Sequence, residues 1–413
     1  MVQAEIPKHS WRQAWREVPS GVRWLIYLAS FGGPGYGFMF VLVTSYLPST
    51  GMSGTEVGWL LGLNGATTIA SAIPIGMIAD RRGRKPLFMF GLALIPPSLM
   101  VFAFTSDFLY LLVASITLGL AEGAFTTTWN ALIADQTTVH TRNAAFSMSF
   151  VYGTIGGALG FAVSVVFPTI ESWTGISSQA IHTETMFILA LVSVVSPISL
   201  WYLLKGYKED IRPGASILKR GKNFGILIKF SGINSLIGLG AGFIIPLIAT
   251  WFLYKFNIED ELSGPLLGVS SLLMAFAAIA STGLAHRYGM TRSIVLVQGL
   301  STVFMLSLAF VPNAALAATL YLVRAALMNM AVPILDSFLM GIVTKEERGL
   351  ASAVNSILWR LPNSVSTVFG GMMLEAGLND PIFLDVPIFI ATGFYVTAIF
   401  LFFTVFKDMK PST

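Results

Sequence analysis

Four ionisable side chains stand inside long apolar stretches of the sequence, where a charge is costly to place. They are Glu122, Arg324, Asp336 and Arg360. A charge at the centre of a bilayer costs roughly 2.5–3.5 kcal/mol on insertion scales, so such residues usually face a polar cavity. The four are therefore candidate site residues. The alternative is that they form structural pairs that lock helices together without contacting a substrate.

Glu122 is our first choice for a proton-titrating or cation-binding group. A polar stretch that includes Trp129 and Asn130 follows it, and a carboxyl group in an apolar cleft can exchange protons near neutral pH. At the helical rise of about 1.5 Å per residue, Glu122 and Arg360 each lie roughly 20 Å from the end of their segment, near mid-membrane. Arg360 is expected to hold an anionic substrate group or to act as the counter-charge of Glu122 or Asp336.

The elements that must position these residues are membrane-spanning helices. Of the 413 residues, 54% are apolar, 11% are charged and none is Cys, which excludes a soluble enzyme, a disordered protein and a disulfide-built secreted scaffold. Unbroken apolar runs favour helices over a barrel, whose strands alternate with polar residues. Twelve such runs are predicted, near 22–47, 55–79, 86–105, 108–134, 143–168, 185–204, 224–254, 263–285, 293–311, 314–343, 349–374 and 384–406.

The basic residues predict the orientation. Of the 25 Lys and Arg residues, 22 fall in the termini and in loops on one side of these spans, and only Lys255 falls in the loops on the other side. The positive-inside rule then places both termini in the cytoplasm of a cell-membrane protein. The basic excess is explained by topology, so nucleic acid is not expected as a partner. Trp11 and Trp15 lie beside Arg12 and Arg16 and predict a short interfacial helix; a frayed tail is the alternative.

The chain divides at its middle into two related halves. The expected organisation is an N-terminal segment (1–21), a six-helix bundle (22–204), a basic linker (205–222), a second six-helix bundle (223–406) and a tail (407–413). Short features recur at an offset near 206: Leu60-Leu61-Gly62 and Leu266-Leu267-Gly268, Gly83 and Gly289, the segments opened by Arg142 and Arg348, and the glycines 33, 35, 37 and 238, 240, 242. Parallel repeats of this kind occur in membrane transporters.

A motif at the end of the second span carries the strongest family signal. The segment from Gly76 to Lys85 reads Gly-Met-Ile-Ala-Asp-Arg-Arg-Gly-Arg-Lys. It resembles the signature of the major facilitator superfamily between helices 2 and 3, G-x-L-A-D-R-x-G-R-K. The second half holds a degraded copy around Gly283 and Gly289, with His286 where the acid stood. The resemblance covers essentially the whole chain and implies an all-α membrane fold of twelve helices in two pseudo-symmetric six-helix bundles.

The resemblance also implies a mechanism and further site residues. It implies a monomeric transporter that moves a small solute by alternating access around a mid-membrane site, and proton coupling is our expectation. Because helices 1, 4, 7 and 10 line the cavity in this family, it adds Tyr36, Trp129 and Asn234 as candidate contacts. Close packing of helices by small residues is the alternative reason for the glycines near Tyr36. The implied cytoplasmic gate consists of Gly76, Asp80, Arg81, Gly83, Arg84, Lys85, Asp135 and Arg142.

Other chemistry has no pattern to support it. We expect no cofactor, no metal and no enzymatic activity, because no phosphate-binding loop or nucleophile set is present and the His residues are scattered in the tail or at loops: His9, His140, His182 and His286. Span 5 has the glycines but not the proline of the proton-driven exporter motif. Open alternatives are an uncoupled facilitator, an exporter of drugs or amphipathic lipids, and a transport-inactive receptor on the same fold.

Overall fold

The computed structural model describes residues 15–207, 209, 223–344 and 347–409. The predicted interfacial helix around Trp11 and most of the linker and C-terminal tail lie outside these residues. Within them the chain forms twelve long helical segments: α1 (Ser20–Ser49), α2 (Gly54–Arg82), α3 (Arg84–Phe104), α4 (Phe108–Asp135), α5 (Val139–Ala162, continued to Thr174), α6 (Ser178–Leu203), α7 (Phe224–Phe256), α8 (Asp260–Tyr288), α9 (Met290–Phe310), α10 (Ala314–Ile342), α11 (Arg348–Ala376) and α12 (Ile382–Phe406).

Ten of these helices are long and apolar enough to cross a membrane. The other two, α8 and α11, have 29 residues each but do not meet that criterion over the described residues. Helix α11 carries Arg348, Arg360 and Glu375. The all-helical fold predicted from the sequence is confirmed, whereas ten of the twelve predicted spans are supported by length and composition.

Local sequence sets where the helices begin and bend. The side chain of Ser53 caps α2 in a capping box with Glu56, and Asp107 caps α4 through the backbone N–H groups of Leu109 and Tyr110. Both satisfy donors that a helix start leaves unpaired. Helix α1 passes through a 3₁₀ turn at Ser30–Gly32, where its glycine cluster begins, and α7 is broken just before Ile248, next to Pro246.

The two halves share backbone geometry at equivalent positions. Helices α2 and α8 begin 206 residues apart and have 29 residues each, and each ends at a glycine with positive φ: 94° at Gly83 and 80° at Gly289. A residue with a side chain would be strained in that conformation. The sequence repeat therefore corresponds to a repeat of structure.

Each end of the bundle packs differently. We call the end that carries Arg82, Leu203 and Phe406 the motif end, and the end that carries Ser49, Gly54 and Asp260 the distal end. At the distal end one buried core runs through both halves, from Phe38 and Leu47 to Trp251. At the motif end each half has a core of its own, one around Phe88 and Leu200 and the other around Phe230 and Phe402.

Glycines show how the halves approach and then separate. Distal residues of α2 pack on α11 so closely that a Cβ at Gly62 would lie 2.8 Å from the Ser364 carbonyl oxygen. Nearer the motif end, a Cβ at Gly76 would meet only Thr127 of its own half, and a Cβ at Gly283 or Gly349 would meet no described atom within 4 Å. The halves are thus joined at the distal end and diverge toward the motif end.

Candidate functional site

One candidate site is a cavity of about 330 Å³ inside the N-terminal half, which we call the N-cavity. Helices α1, α3, α4, α5 and α6 line it. Its walls combine aromatic rings, glycines and serines, and Glu122 is the one charged residue among the described residues that line it. A mostly apolar cleft with a few convergent polar groups is the usual form of a small-molecule site.

Glu122 is held at the cavity wall by Tyr36. The Tyr36 hydroxyl donates a hydrogen bond of 3.1 Å to Oε2 of Glu122, joining α1 to α4. Glu122 itself is only partly buried and lines the N-cavity, so its carboxyl group is not enclosed by protein on every side. The glycines near Tyr36 explain how α1 comes so close to α5: a Cβ at Gly37 would lie 2.3 Å from the Gly157 carbonyl oxygen.

Trp129 forms the part of the wall toward the motif end. Its indole Nε1 donates a hydrogen bond of 2.7 Å to the Ser149 hydroxyl on α5, and its ring stacks on Phe125 at a centroid distance of 5.1 Å. Both rings line the N-cavity. Asn130, the next residue of α4, is exposed and is not among the lining residues.

Tyr36 also reaches a second, smaller cavity between the halves. This space of about 100 Å³ is lined by Asn64 of α2, Pro246 of α7 and Ser364 of α11 as well as by Tyr36. Arg360, one helical turn before Ser364, is exposed and lies within electrostatic reach of the Tyr36 hydroxyl. The structure therefore brings Tyr36, Glu122 and Arg360 into one region.

The remaining intramembrane candidates lie elsewhere. Arg324 is only 4% exposed and donates a hydrogen bond of 2.8 Å to the Tyr395 hydroxyl inside the C-terminal half. Asp336, although on the same helix, is exposed, so these two residues do not form the structural pair that the sequence left open. Asn234 donates a hydrogen bond of 3.0 Å to Asn355, which links α7 to α11.

Comparison with known proteins identifies the family. The sequence profile of the Major Facilitator Superfamily matches residues 22–367. The chain belongs to the Major Facilitator Superfamily. It is a multi-pass membrane protein of a transporter family.

Two relatives and one solved structure illustrate the similarity. The chain is 23% identical over 320 residues to the membrane protein YJR124C of Saccharomyces cerevisiae, which covers 67% of this chain and 70% of that protein. It is 18% identical over 376 residues to the quinolone resistance protein NorA of Staphylococcus aureus, covering 86% and 90%. A bacterial homolog of the human lysosomal transporter Spinster shares the fold with a TM-score of 0.71 at 15% identity, covering 93% and 97%.

The superfamily motif forms a compact charged cluster at the motif end. Arg84 pairs with Asp135 at 2.5 Å, which joins the start of α3 to the end of α4. A guanidinium nitrogen of Arg142 donates a hydrogen bond of 3.1 Å to the Ala134 carbonyl oxygen, so it caps the same helix end. Arg81 is exposed in the last turn of α2, and the side chain of Asp80 lies outside the described part of the chain. All the contacts described here lie within the N-terminal half.

Glu209 completes this cluster, and no sequence pattern pointed to it. Its carboxylate accepts hydrogen bonds from the backbone N–H groups of Arg84 at 2.6 Å and Lys85 at 2.5 Å, the unpaired donors at the start of α3. Burial raises the pKa of the neighbouring Tyr207 hydroxyl, and the charges of Asp135 and Glu209 add to that effect. A linker carboxylate that caps a helix depends on a long-range contact, which no local pattern predicts.

Proposed function

We propose that this protein is a secondary active transporter that moves a small organic solute by alternating access and couples that movement to protons through Glu122. The observation that carries the proposal is the hydrogen bond from Tyr36 to Glu122 at the wall of the N-cavity. In a mostly apolar cavity a protonated carboxyl group can release its proton, and the carboxylate that is left can accept a cationic or hydrogen-bond-donating group of a solute. That exchange is the elementary step of proton coupling.

The cavity chemistry favours a solute with an apolar body. The rings of Tyr36, Phe125 and Trp129 offer apolar area and aromatic faces that attract cations. Glu122 supplies the charge that orients the solute. We therefore expect the substrates to be apolar molecules with one cationic or hydrogen-bond-donating group.

The packing of the two halves supports alternating access. They share one core at the distal end and have separate cores at the motif end. We propose that the motif end faces the cytoplasm of a monomer in the cell membrane, as the distribution of basic residues indicates. The structure would then be the inward-open state. In the outward-open state we expect Asp80 and Arg84 to contact the C-terminal half.

Arg360 fits a role in communication between the halves. It belongs to the C-terminal half but lies within electrostatic reach of Tyr36, the hydrogen-bond donor to Glu122. A change in the charge of Glu122 alters the attraction between this carboxylate and Arg360. Protonation can therefore bias how the halves rest against each other.

Transport in proteoliposomes tests the proposal. Solutes that bind are first selected by a thermal-shift screen, since a ligand that binds the folded state raises its stability. The uptake of a radiolabelled hit is then measured with and without an imposed pH gradient. Glu122→Gln should abolish the stimulation by the gradient while exchange of the solute across the membrane continues.

Glu184→Gln is the matched control, because Glu184 lies exposed on α6 and outside the lining of the N-cavity. It should keep the response of the parent protein. A pH response of transport that survives in Glu122→Gln would refute coupling through this residue. Transport by the parent without any response to pH would make it an uncoupled facilitator, and binding without transport would make it a receptor.

Export of amphipathic cations is a second candidate that the same cavity favours. The cavity is lined mainly by apolar and aromatic groups around one carboxylate, and the chain is similar to NorA, a quinolone resistance protein. Inside-out vesicles that accumulate a lipophilic cation when acidified inside would support export. Accumulation only in right-side-out vesicles would support uptake.

A further inference from the structure

A buried acid–base pair joins the two halves at the distal end. Nε2 of His182, on α6, lies 3.0 Å from Oδ2 of Asp260, the first residue of α8. The two side chains are each 3% exposed. The sequence placed His182 in a loop, but it lies inside α6.

The hydrogen-bond geometry indicates how many protons this pair holds. Nδ1 of His182 lies 2.7 Å from the Ser178 carbonyl oxygen and 3.4 Å from the Ser178 hydroxyl oxygen. The much shorter contact is to the carbonyl, which only accepts, so we assign a proton to Nδ1. Nε2 faces the carboxyl oxygen of Asp260, so a second proton must lie between them, on His182 or on Asp260. Without it, the lone pair of Nε2 would face a carboxylate oxygen, which is repulsive.

The surroundings hold His182 in place and add charge. The ring of Tyr46 stacks on the imidazole with a centroid distance of 3.6 Å, and Phe167 contacts it edge-on at 4.7 Å. Glu261 lies within electrostatic reach of both His182 and Asp260, and Glu259 within reach of Glu261. Among the described residues, Tyr46, Glu259 and Glu261 are thus titratable groups that lie around the pair.

The pair belongs to a set of contacts that close the distal end. The Ser164 hydroxyl donates to the Asp260 carbonyl oxygen at 2.7 Å, and Thr250 donates to the Thr44 carbonyl oxygen at 2.6 Å. Between α2 and α11, Glu375 accepts from the Thr55 backbone N–H at 3.0 Å. Within this set, His182 is the group whose ordinary pKa lies nearest neutrality.

We propose that His182 and Asp260 form a proton-binding site that latches the distal ends of the two halves together, so that binding a proton from the distal medium closes this side. The inference rests on the alternating-access part of the proposed function but not on coupling through Glu122. When the halves separate, the proton returns to the distal medium. The latch therefore sets the balance between the two states without carrying charge across the membrane.

Linkage gives the direction of the effect. The closed state holds one proton more than the open state at pH values where an exposed histidine side chain is neutral, which is above about 6.5. Closure of the distal end is then favoured as the pH falls, by up to about tenfold per pH unit for one linked proton. Below that range both states hold the proton and the dependence levels off.

A distance measurement without any solute tests the latch. Because the chain has no Cys, Ser172→Cys with Asn379→Cys places one spin label on an exposed distal segment of each half. Pulsed electron resonance then reports the distance between labels from about pH 5.5 to about pH 8.5, on either side of the ordinary His pKa. The population with the short distance should grow as the pH falls.

Matched variants assign the response to the pair. His182→Gln keeps a donor for Asp260 that does not titrate, so the distance distribution should no longer change with pH. Asp260→Asn should also remove the pH dependence. If His182→Gln does not fold, Asp260→Asn serves as the test in its place. Tyr46→Phe and Glu261→Gln should keep the response of the parent. Glu122→Gln should keep it too, whatever that variant does to transport.

Two results would overturn the latch. One is a parent protein whose distance distribution does not change over this pH range. The other is a response that persists in His182→Gln or Asp260→Asn. A response that disappears in Glu122→Gln but persists in His182→Gln would assign the sensitivity to the N-cavity instead.

Discussion

The two halves of the molecule have the same helices but different interiors at equivalent places. The N-cavity has a volume of about 330 Å³, whereas the corresponding space between α7, α9, α10 and α12 has about 10 Å³. At offsets of 205 or 206 residues, Ser196 on the cavity wall corresponds to Phe402, and Gly32 corresponds to Ile237. Small residues in one half thus stand where large ones fill the other.

The filled half is also the more tightly packed one around this space. Phe402 packs against Phe230, Phe338 and Phe406 with ring centroids 6.1, 5.5 and 5.1 Å away. Aromatic clusters of this kind add stability beyond the area that they bury. We infer that the N-terminal half has kept the binding space of the repeated unit, while the C-terminal half has become a scaffold against which it moves.

Removing a buried ring from the C-terminal half should have the largest effect on stability. Phe402→Ala removes a ring that is 4% exposed and should lower the free energy of unfolding by about 3–5 kcal/mol, as is typical for a buried Phe. The measurement is chemical denaturation in detergent. Phe403→Ala is the control, since Phe403 is 43% exposed. Equal losses in the two variants would contradict the picture of a packed scaffold.

Filling the N-cavity should weaken solute binding at a smaller cost in stability. Ser196→Phe puts the residue of the C-terminal half into the wall of the N-cavity and removes the hydrogen bond of 2.6 Å to the Leu28 carbonyl oxygen. Solute binding should weaken by more than about tenfold, which is 1.4 kcal/mol. Isothermal titration with a solute from the thermal-shift screen measures it, and Ile198→Phe on the exposed face of α6 is the control. Undiminished binding would place the site outside the N-cavity.

The sequence predicted the helices and the repeat, but it did not predict that the interiors of the two halves differ. Helix positions follow from apolar runs, and the repeat follows from local patterns such as Gly83 and Gly289, so both could be read from the sequence. Glu122 stood out because a charge in an apolar stretch requires a reason. Its partner Tyr36 was named through the family resemblance, and the hydrogen bond between them joins residues 86 positions apart.

The residues that the sequence missed depend on contacts between distant segments. His182 lay just outside a predicted span and gave no periodic signal, and its partner Asp260 is 78 positions away. Arg324 illustrates the opposite error. Its charge marked it as a candidate site residue, but its hydrogen-bond partner is Tyr395 in the packed interior of the C-terminal half. A charge in an apolar stretch identifies an unusual residue, because burying a charge is costly. It does not show whether a polar cavity or a neighbouring hydroxyl group offsets that cost.

The smallest expected effect concerns the turn that leads into α5 and α11. In the N-terminal half the backbone N–H of Thr138 donates to the hydroxyl of Thr141 at 3.2 Å; in the C-terminal half the equivalent Thr344 donates to the carboxylate of Glu347 at 3.0 Å. Glu347 also accepts from the Asn223 backbone N–H. The bond from Thr344 is the main cause that lowers the pKa of Glu347 from 4.5, and the bond from Asn223 adds to it.

A lowered pKa gives this contact a defined pH dependence. Its stabilisation is fully present above the ordinary pKa of 4.5 and is lost as the pH falls through the lower pKa of the folded protein. Glu347→Gln should reduce the unfolding free energy at neutral pH by about 1 kcal/mol, the usual net value of a hydrogen bond, and should flatten the loss of stability in acid. Thermal unfolding in detergent at several pH values measures both. Thr141→Val should shift the midpoint equally at every pH, because a hydroxyl group does not titrate in this range. If the shift in Thr141→Val depended on acid, the two turns would differ by more than the presence of one carboxylate.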